Sequence, residues 1–317
     1  MTEPTRRIAI VGCGAIAQAH AAAIAELPGL ELTALVDSSP EARELATGEF
    51  GVPAFASVEE LLEGAEIDAA CVCTPPATHP ELTEALLLGG VDVLCEKPLA
   101  VTSEAARRMM EAADRAGRRL AVSAKFRHVD DLAEAGRRIA NGDIGTPLHY
   151  AVTFCAPVDV RGRWPSNPDL SGGGVLMDNG PHAFDVLSHV LDAEIADVTA
   201  SIPTPSLAPP VEDTVTLQFR TEDGRTGRVE LSWIYFSKDL DYLVVQGTEG
   251  TLRVAWTGGQ FRRHGEREWL PFGTGYDKLA SFRGIWSEFT SRNTDPNARR
   301  FPVEALELIE QSYRSLA

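Results

Sequence analysis

The sequence predicts an α/β chain: a doubly wound parallel sheet, followed by an α+β unit with a largely antiparallel open sheet. Two observations carry this reading. Between residues 8 and 124, short apolar strand runs alternate with helical patterns, an order that pairs strands in parallel through right-handed crossovers. Past Lys125 the rhythm changes to strand runs joined by the hairpin-like turns TEDGRTG and GTEG, which favour antiparallel pairing. The boundary is placed at residues 1–123 and 124–317.

In the first unit, 8–11 reads as a strand and 15–27 as a helix, followed by strand 30–36, helix 40–50 and a short helix at 58–62. Strand 69–73, helix 81–88, strand 91–95, helix 103–116 and strand 120–124 close the set. In the second unit, helix 131–140 leads to strand 148–154, and 157–174, rich in Pro, Gly and Arg, reads as a loop. Gly180-Pro181 suggests that the next helix starts only there, near His182, with Asn179 as its cap, and runs to 190. Strand runs at 196–202, 214–220, 227–234, 241–247 and 251–256 form the sheet, with a Pro-rich surface loop at 202–210. The helical pattern of Phe282, Ile285 and Phe289 and a closing helix at 303–316 complete this unit. Those helices are too few to cover both sheet faces. Leu217, Phe219, Val229, Leu231 and Trp233 alternate along two adjacent strands and would need a partner chain if they face outward.

The chain has 317 residues, 44% of them hydrophobic and 24% charged, enough for two soluble domains. A formal charge of −17, spread along the chain, repels a phosphate backbone and anionic lipid, so neither nucleic acid nor membrane is an expected partner. No apolar run approaches the roughly 18 to 20 residues that span a bilayer, and the opening MTEPTRRIAIVG lacks the features of a signal peptide. Of the five cysteines, Cys13, Cys71, Cys73, Cys95 and Cys155, none has the paired spacing of a zinc site. They read as small buried hydrophobes in a reducing compartment, the cytoplasm.

Gly12-Cys13-Gly14-Ala15-Ile16-Ala17 follows the first strand and opens the first helix, fitting GxGxx(G/A). The first glycine allows the tight turn, the second lets backbone approach a pyrophosphate, and the third small residue lets helix and strand pack closely. Free N–H groups at the helix start would meet the phosphates. An acidic residue, Asp37, ends the second strand and is followed by Ser38, where a carboxylate can accept hydrogen bonds from ribose hydroxyls. The plain alternative is a tight turn with a capping aspartate; strand, turn and acid together favour a dinucleotide site of the Rossmann type. Asp37 would repel the 2′-phosphate of NADP, and Ser38, Ser39 and Pro40 offer no cation; Arg43, a turn into the next helix, is the nearest. The expected cofactor is NAD, with NADP less favoured.

Three further segments resemble the glucose–fructose oxidoreductase and inositol dehydrogenase family (Gfo/Idh/MocA). Thr74-Pro75-Pro76-Ala77-Thr78-His79 is similar to its TPxxxH loop, and Cys95-Glu96-Lys97-Pro98-Leu99 to its EKP motif. The run from Gly172 to Asp185, GGGVLMDNGPHAFD, is similar to its GGGxxxDxGxHxxD segment. TPP stands where TPN is common, and Ala17 replaces a third glycine. The resemblance implies a sugar or cyclitol oxidoreductase whose cofactor is held by the glycine loop, Asp37, Ser38, Thr74, Pro75, Pro76, His79, Glu96, Lys97 and Arg127. It implies His182 as acid/base, Lys97 as the cation that polarises the substrate oxygen, and Asp178 as the group that holds substrate or orients His182. It also implies a dimer or tetramer built through the second sheet.

The chemistry asks for these residue types. Oxidising a secondary alcohol needs a base at the oxygen and a cation for the developing alkoxide. Plain alternatives stand beside each role: Asp178 as a helix cap, His182 as a buried structural histidine, Lys97 as an exposed turn lysine paired with Glu96. His182, Asp185 and His189 could form a metal face, but hydride transfer needs no metal, and Asp185 and His189 read as a structural pair. Arg163 and Trp164, in the loop before the triple glycine, could bind an anionic group and stack on a sugar ring, or be a solvated loop; Asn179 joins Asp178 as a substrate contact. The Lys97–Pro98 bond is expected to be cis, because a sharp turn would aim Lys97 into the cleft. Two other functions remain in view: a glycosidase using NAD as a transient redox aid, and a non-catalytic NAD-binding regulator.

Overall fold

Four consecutive buried residues, Ile8, Ala9, Ile10 and Val11, make the first strand apolar on both faces, the signature of a strand covered by helices on each side. The structure is a computed structural model describing residues 5–203, 210–238, 240–291 and 297–316; most of the Pro-rich loop expected at 202–210 lies outside these residues. The first unit runs β1 (Arg6–Val11), α1 (Ala15–Glu26), β2 (Leu30–Val36), α2 (Pro40–Phe50), β3 (Ala54–Phe55) and α3 (Val58–Gly64). It continues with β4 (Ala69–Val72), α4 (His79–Leu88), β5 (Asp92–Cys95), α5 (Ser103–Ala116) and β6 (Leu120–Val122). The sheet is parallel throughout, in the order β3-β2-β1-β4-β5-β6. Strand order reverses between β1 and β4, so a crevice opens beyond their carboxyl ends. Side chains of Ser39, Ser57 and Thr102 cap α2, α3 and α5 by accepting from Ala42, Glu60 and Ala105 N–H groups.

The second unit contains α6 (Asp130–Ala140), β7 (Pro147–Cys155), α7 (Pro168–Ser171), α8 (Val175–Ser188), β8 (Ile195–Ser201) and β9 (Thr214–Thr221). It continues with β10 (Thr226–Ser232), β11 (Asp241–Gly247), β12 (Gly250–Ala255), β13 (Gly258–Arg263) and β14 (Leu270–Phe272). These eight strands form one sheet, β14-β13-β12-β11-β7-β10-β9-β8, antiparallel except where β7 meets β10. Strands β13 and β14 have no alternating apolar run for a sequence reading to find. Glycine makes their pairing possible: a Cβ on Gly259 would lie 2.1 Å from the ring of Phe272.

Leu217, Phe219, Val229, Leu231 and Trp233 do not face outward. All five are buried, on the sheet face where α8 packs across β7, β9 and β10. One long helix covers what the sequence reading left for a partner chain. The opposite face carries His149, Thr153, Arg228, Glu230 and Gln246, which line a shallow depression with Tyr235 and Phe236.

The helix α9 (Lys278–Thr290) corrects a second expectation. It packs on the first unit, not the second. Its Phe282, Ile285, Trp286 and Phe289 enter the same core as Ala17, Ala21, Ala23 and Ile24 of α1. Small residues on α1 leave a groove that four large side chains fill, a complementarity invisible to a reading that follows chain order.

Candidate functional site

In the first unit the glycine loop does what its residues require. Gly12 has φ +96°, and a Cβ there would lie 2.9 Å from backbone atoms of Cys73 and Thr74. Gly14 is the N-cap of α1 and supplies no side-chain cap; a Cβ on it would meet nothing within 4 Å. The loop is therefore closed on its inner side and open on its outer side, with helix N–H groups uncapped, the arrangement that admits a pyrophosphate. Ala17 is 1% exposed, so the third small position is needed for packing. Asp37 is tied to the loop: its carboxylate accepts from Cys13 N–H and Ser39 N–H, each at 2.9 Å. Arg43 donates to the carbonyls of Asp37 at 2.7 Å and Ser38 at 3.1 Å.

His79 is a latch. Its ring nitrogens meet Thr74 O at 2.8 Å and Pro98 O at 3.0 Å, so one buried imidazole fastens the segment after β4 to the segment after β5. Burial lowers its pKa, although the two carbonyls favour the charged form. Pro76 is buried beside it, while Thr74 and Pro75 are half-buried. The Lys97–Pro98 bond is cis, as expected.

Glu96 turns inward. Its carboxylate meets His20 Nε2 at 2.9 Å and accepts from the Lys97 N–H at 3.2 Å. Burial opposes its charge, yet the hydrogen bond from His20 and its proximity hold the carboxyl below its usual pKa. Trp286 of α9 donates its indole N–H to His20 Nδ1 at 3.1 Å. His20 also stands with Cys71 and Cys73 in a group whose ligand atoms lie within 4.8 Å. Both imidazole nitrogens are engaged, which leaves no lone pair for a cation. The Glu96–His20–Trp286 chain thus seats the EKP turn.

In the second unit the central element is α8. The sequence reading began this helix near residue 182; it begins at Val175, with Pro181 inside it. The reason is a cap supplied from far along the chain. The Glu212 carboxylate accepts from Gly174 N–H and Leu176 N–H, each at 3.0 Å, and the Glu212 carbonyl accepts from Val175 N–H at 2.8 Å. Tyr313 donates its hydroxyl to the same carboxylate at 2.8 Å. Burial raises the pKa of Glu212 against these donors. The triple glycine exists for this contact: a Cβ on Gly174 would lie 1.9 Å from Glu212 O, and one on Gly173 2.2 Å from the Tyr313 hydroxyl. Asn179 is therefore an interior helical residue and no cap, and Asp178 and His182 stand four apart on one helix face.

Burial along α8 is broken in one place. From Val175 to Leu187, every residue is buried except Asp178, Asn179 and His182. Behind them, Asp185 is buried and meets Arg127 Nε at 3.4 Å, so its partner is Arg127 and not His189. Burial pushes the Asp185 carboxyl up to about 6 and the His189 imidazole down to about 4. The ring of His182 packs edge-on against buried Phe126 at 5.3 Å. Arg163 and Trp164 are exposed; Arg163 donates to Asp159 O at 3.2 Å. The sequence reading missed Glu212 and Tyr313, whose roles depend on contacts 38 and 101 residues apart in the chain.

Comparison with known proteins identifies the family of both units. Residues 6–124 match the model of an oxidoreductase family with an NAD-binding Rossmann fold, and residues 132–253 match the GFO/IDH/MocA C-terminal domain. The chain is 30% identical to D-apiose dehydrogenase of Paraburkholderia graminis, over 78% of this chain and 67% of that protein. It is 31% identical to 1,5-anhydro-D-fructose reductase of Ensifer adhaerens, over 78% and 74%. Its fold is similar to that of an inositol dehydrogenase homolog from Azotobacter vinelandii solved with NAD+: TM-score 0.86, 22% identity, covering 99% of this chain and 95% of that one. With both domain models matched and the glycine loop shaped for a dinucleotide, the chain belongs to the GFO/IDH/MocA family of NAD-binding oxidoreductases.

Proposed function

We propose that this enzyme transfers hydride between NAD and a secondary hydroxyl, or the matching ketone, of a sugar, cyclitol or nucleotide-linked sugar. The observation that carries the reading is the break in burial on α8, which leaves a carboxylate, an amide and an imidazole open on an otherwise buried helix. Asp178, Asn179 and His182, grouped on a helix otherwise buried from Val175 to Leu187, are the groups of that stretch within reach of a ligand. Relatives named as a sugar dehydrogenase and a sugar reductase support the substrate class.

The nicotinamide, when bound, supplies the hydride acceptor or donor. His182 takes the hydroxyl proton, since imidazole changes charge near neutral pH. Lys97 steadies the alkoxide as it develops. Asp178 and Asn179 hold neighbouring hydroxyls, and Arg163 and Trp164 are assigned to the outer part of the substrate. Asp37 accepts from the adenosine ribose through its remaining lone pairs. Arg43 donates through Nη1 to the carbonyls of Asp37 and Ser38; the Asp37 carboxylate would repel a 2′-phosphate, which favours NAD over NADP. Arg127, held by Asp185, is assigned to the cofactor.

A screen of sugars, cyclitols and nucleotide sugars tests the reading, and should show NADH formation with at least one cyclic polyol. NADH should bind at least about tenfold more tightly than NADPH, about 1.4 kcal/mol. Release of free sugar without net NADH would instead identify an NAD-assisted glycosidase. Cofactor binding with no turnover of any kind would identify a regulator.

We also assign a homodimer or homotetramer, joined through the outer face of the eight-stranded sheet. Ile234, Tyr235, Phe236 and Leu240 are exposed in the segment that follows β10, and Tyr235 and Phe236 border the depression on that face. Sedimentation should give at least twice 34.2 kDa; a monomer at micromolar concentration rules the assignment out. All five cysteines are free thiols, in keeping with an assignment to the cytoplasm.

A further inference from the structure

Three partly exposed groups of the second unit pack on one buried ring. Phe126, 1% exposed, has His182 edge-on at 5.3 Å, Tyr276 stacked at 6.0 Å and Trp256 tilted at 6.1 Å. Trp256 and Tyr276 meet each other at 5.4 Å with their planes 78° apart, so they form a corner with two aromatic walls. Trp256 is 41% exposed.

The corner is rigid. Tyr276 N–H donates to Trp256 O at 3.0 Å. The preceding loop is clamped by Asp131, whose buried carboxylate accepts from Thr274 N–H and Gly275 N–H at 2.9 Å each. A Cβ on Gly275 would lie 2.8 Å from Trp256 O, so the loop lies against the Trp256 backbone with no space between. An indole left 41% exposed beside Tyr276, whose backbone is tied to that of Trp256, one ring away from the acid/base, is a surface shaped before ligand arrives.

We propose that Trp256 and Tyr276 form a stacking subsite for the carbon–hydrogen face of a ring-shaped polyol whose reacting hydroxyl lies at His182; this rests on the function proposed above. A pyranose or cyclitol ring presents a preformed apolar face between its hydroxyls, and large aromatic rings supply apolar area with a fixed orientation. An open-chain polyol has no such face and loses more rotamer freedom on binding. The corner therefore selects cyclic over acyclic substrates.

The test compares Trp256→Leu, which keeps an apolar cap on Phe126 without an aromatic face, with Trp256→Phe, which keeps one. The substrates are the cyclic polyol that the unmodified enzyme oxidises best, and D-sorbitol. Trp256→Leu should raise KM for the cyclic substrate at least tenfold, about 1.4 kcal/mol, with kcat changed less than about threefold. Trp256→Phe should stay within about threefold of the unmodified enzyme, and KM for D-sorbitol should not move. An unchanged KM in Trp256→Leu, or equal shifts for ring and chain, overturns the proposal and leaves the proposed function standing. A preference of the unmodified enzyme for D-sorbitol also overturns it. Should Trp256→Leu fail to fold, Tyr276→Leu makes the same comparison with the same expected results. Absence of NADH formation with every polyol is a different failure, that of the proposed function itself.

Discussion

Lys97→Met and His182→Ala should each lower turnover by roughly 10² to 10⁴ while the protein still binds NAD. The size of the effect follows from what each group replaces. An alcohol is a weak acid, so without a positioned base the hydroxyl proton must leave to water. Without a nearby cation, the alkoxide develops in a site that does nothing to stabilise it. Both substitutions should lower kcat and kcat/KM together, the mark of an interaction made in the transition state. The surroundings make the comparison clean. Lys97 stands on a turn whose shape is set by its neighbours: Glu96 held by His20, and Pro98 O held by His79. His182 stands on a helix whose start is fixed by Glu212. Removing either side chain therefore leaves the backbone around it supported. Calorimetric titration with NAD, beside turnover on the true substrate, separates the two quantities. Near-normal turnover in His182→Ala would remove His182 from the role of acid/base.

How much of this was legible before the structure depends on the range of the interaction. The glycine loop was readable because its parts lie within six residues of each other and next to the strand and helix they join. The parallel order of the first sheet was readable because strands apolar on both faces alternate with helices. The start of α8 was not readable, for a definite physical reason. Local rules see Gly180-Pro181 and end or begin a helix there, but the capping carboxylate comes from residue 212. An interior proline loses a helical hydrogen bond and crowds the preceding turn, about 3 kcal/mol, and three hydrogen bonds at the helix start, two of them to a carboxylate, offset that cost. The place of α9 was hidden in the same way, since its partner groove lies on α1, more than 250 residues earlier in the chain. Among the site residues, Glu96 and His79 were found by resemblance, while their inward-facing hydrogen bonds became visible only in the fold.

Gly174→Ala should destabilise the second unit by roughly 3 kcal/mol or more and lower activity by about 10² without touching a reacting atom. The added methyl would sit 1.9 Å from Glu212 O and 2.8 Å from the Glu212 backbone N and C. Its neighbour is backbone, with no flexible side-chain end to swing aside, so either the segment before β9 that carries Glu212 or the first turn of α8 must move. Overpacking of this kind costs about 1–3 kcal/mol. Displacement also loosens three hydrogen bonds, to the N–H groups of Gly174, Val175 and Leu176, each contributing about 0.5–1.5 kcal/mol, and more where the acceptor is charged. For a unit of this size the expected fall in Tm is roughly 6–12 °C. Because Asp178 begins the second turn and His182 the third, a shift at the helix start carries both, and a misplacement of about 1 Å can cost about 10² in rate. Gly48→Ala is the control. Gly48 lies exposed within α2, where a Cβ meets nothing within 4 Å, so the same change should leave Tm equal or slightly higher. Calorimetric melts of the two variants decide the matter. If Gly174→Ala melts within about 2 °C of the unmodified enzyme and keeps its activity, the contact between Glu212 and the triple glycine is not what holds α8 in place.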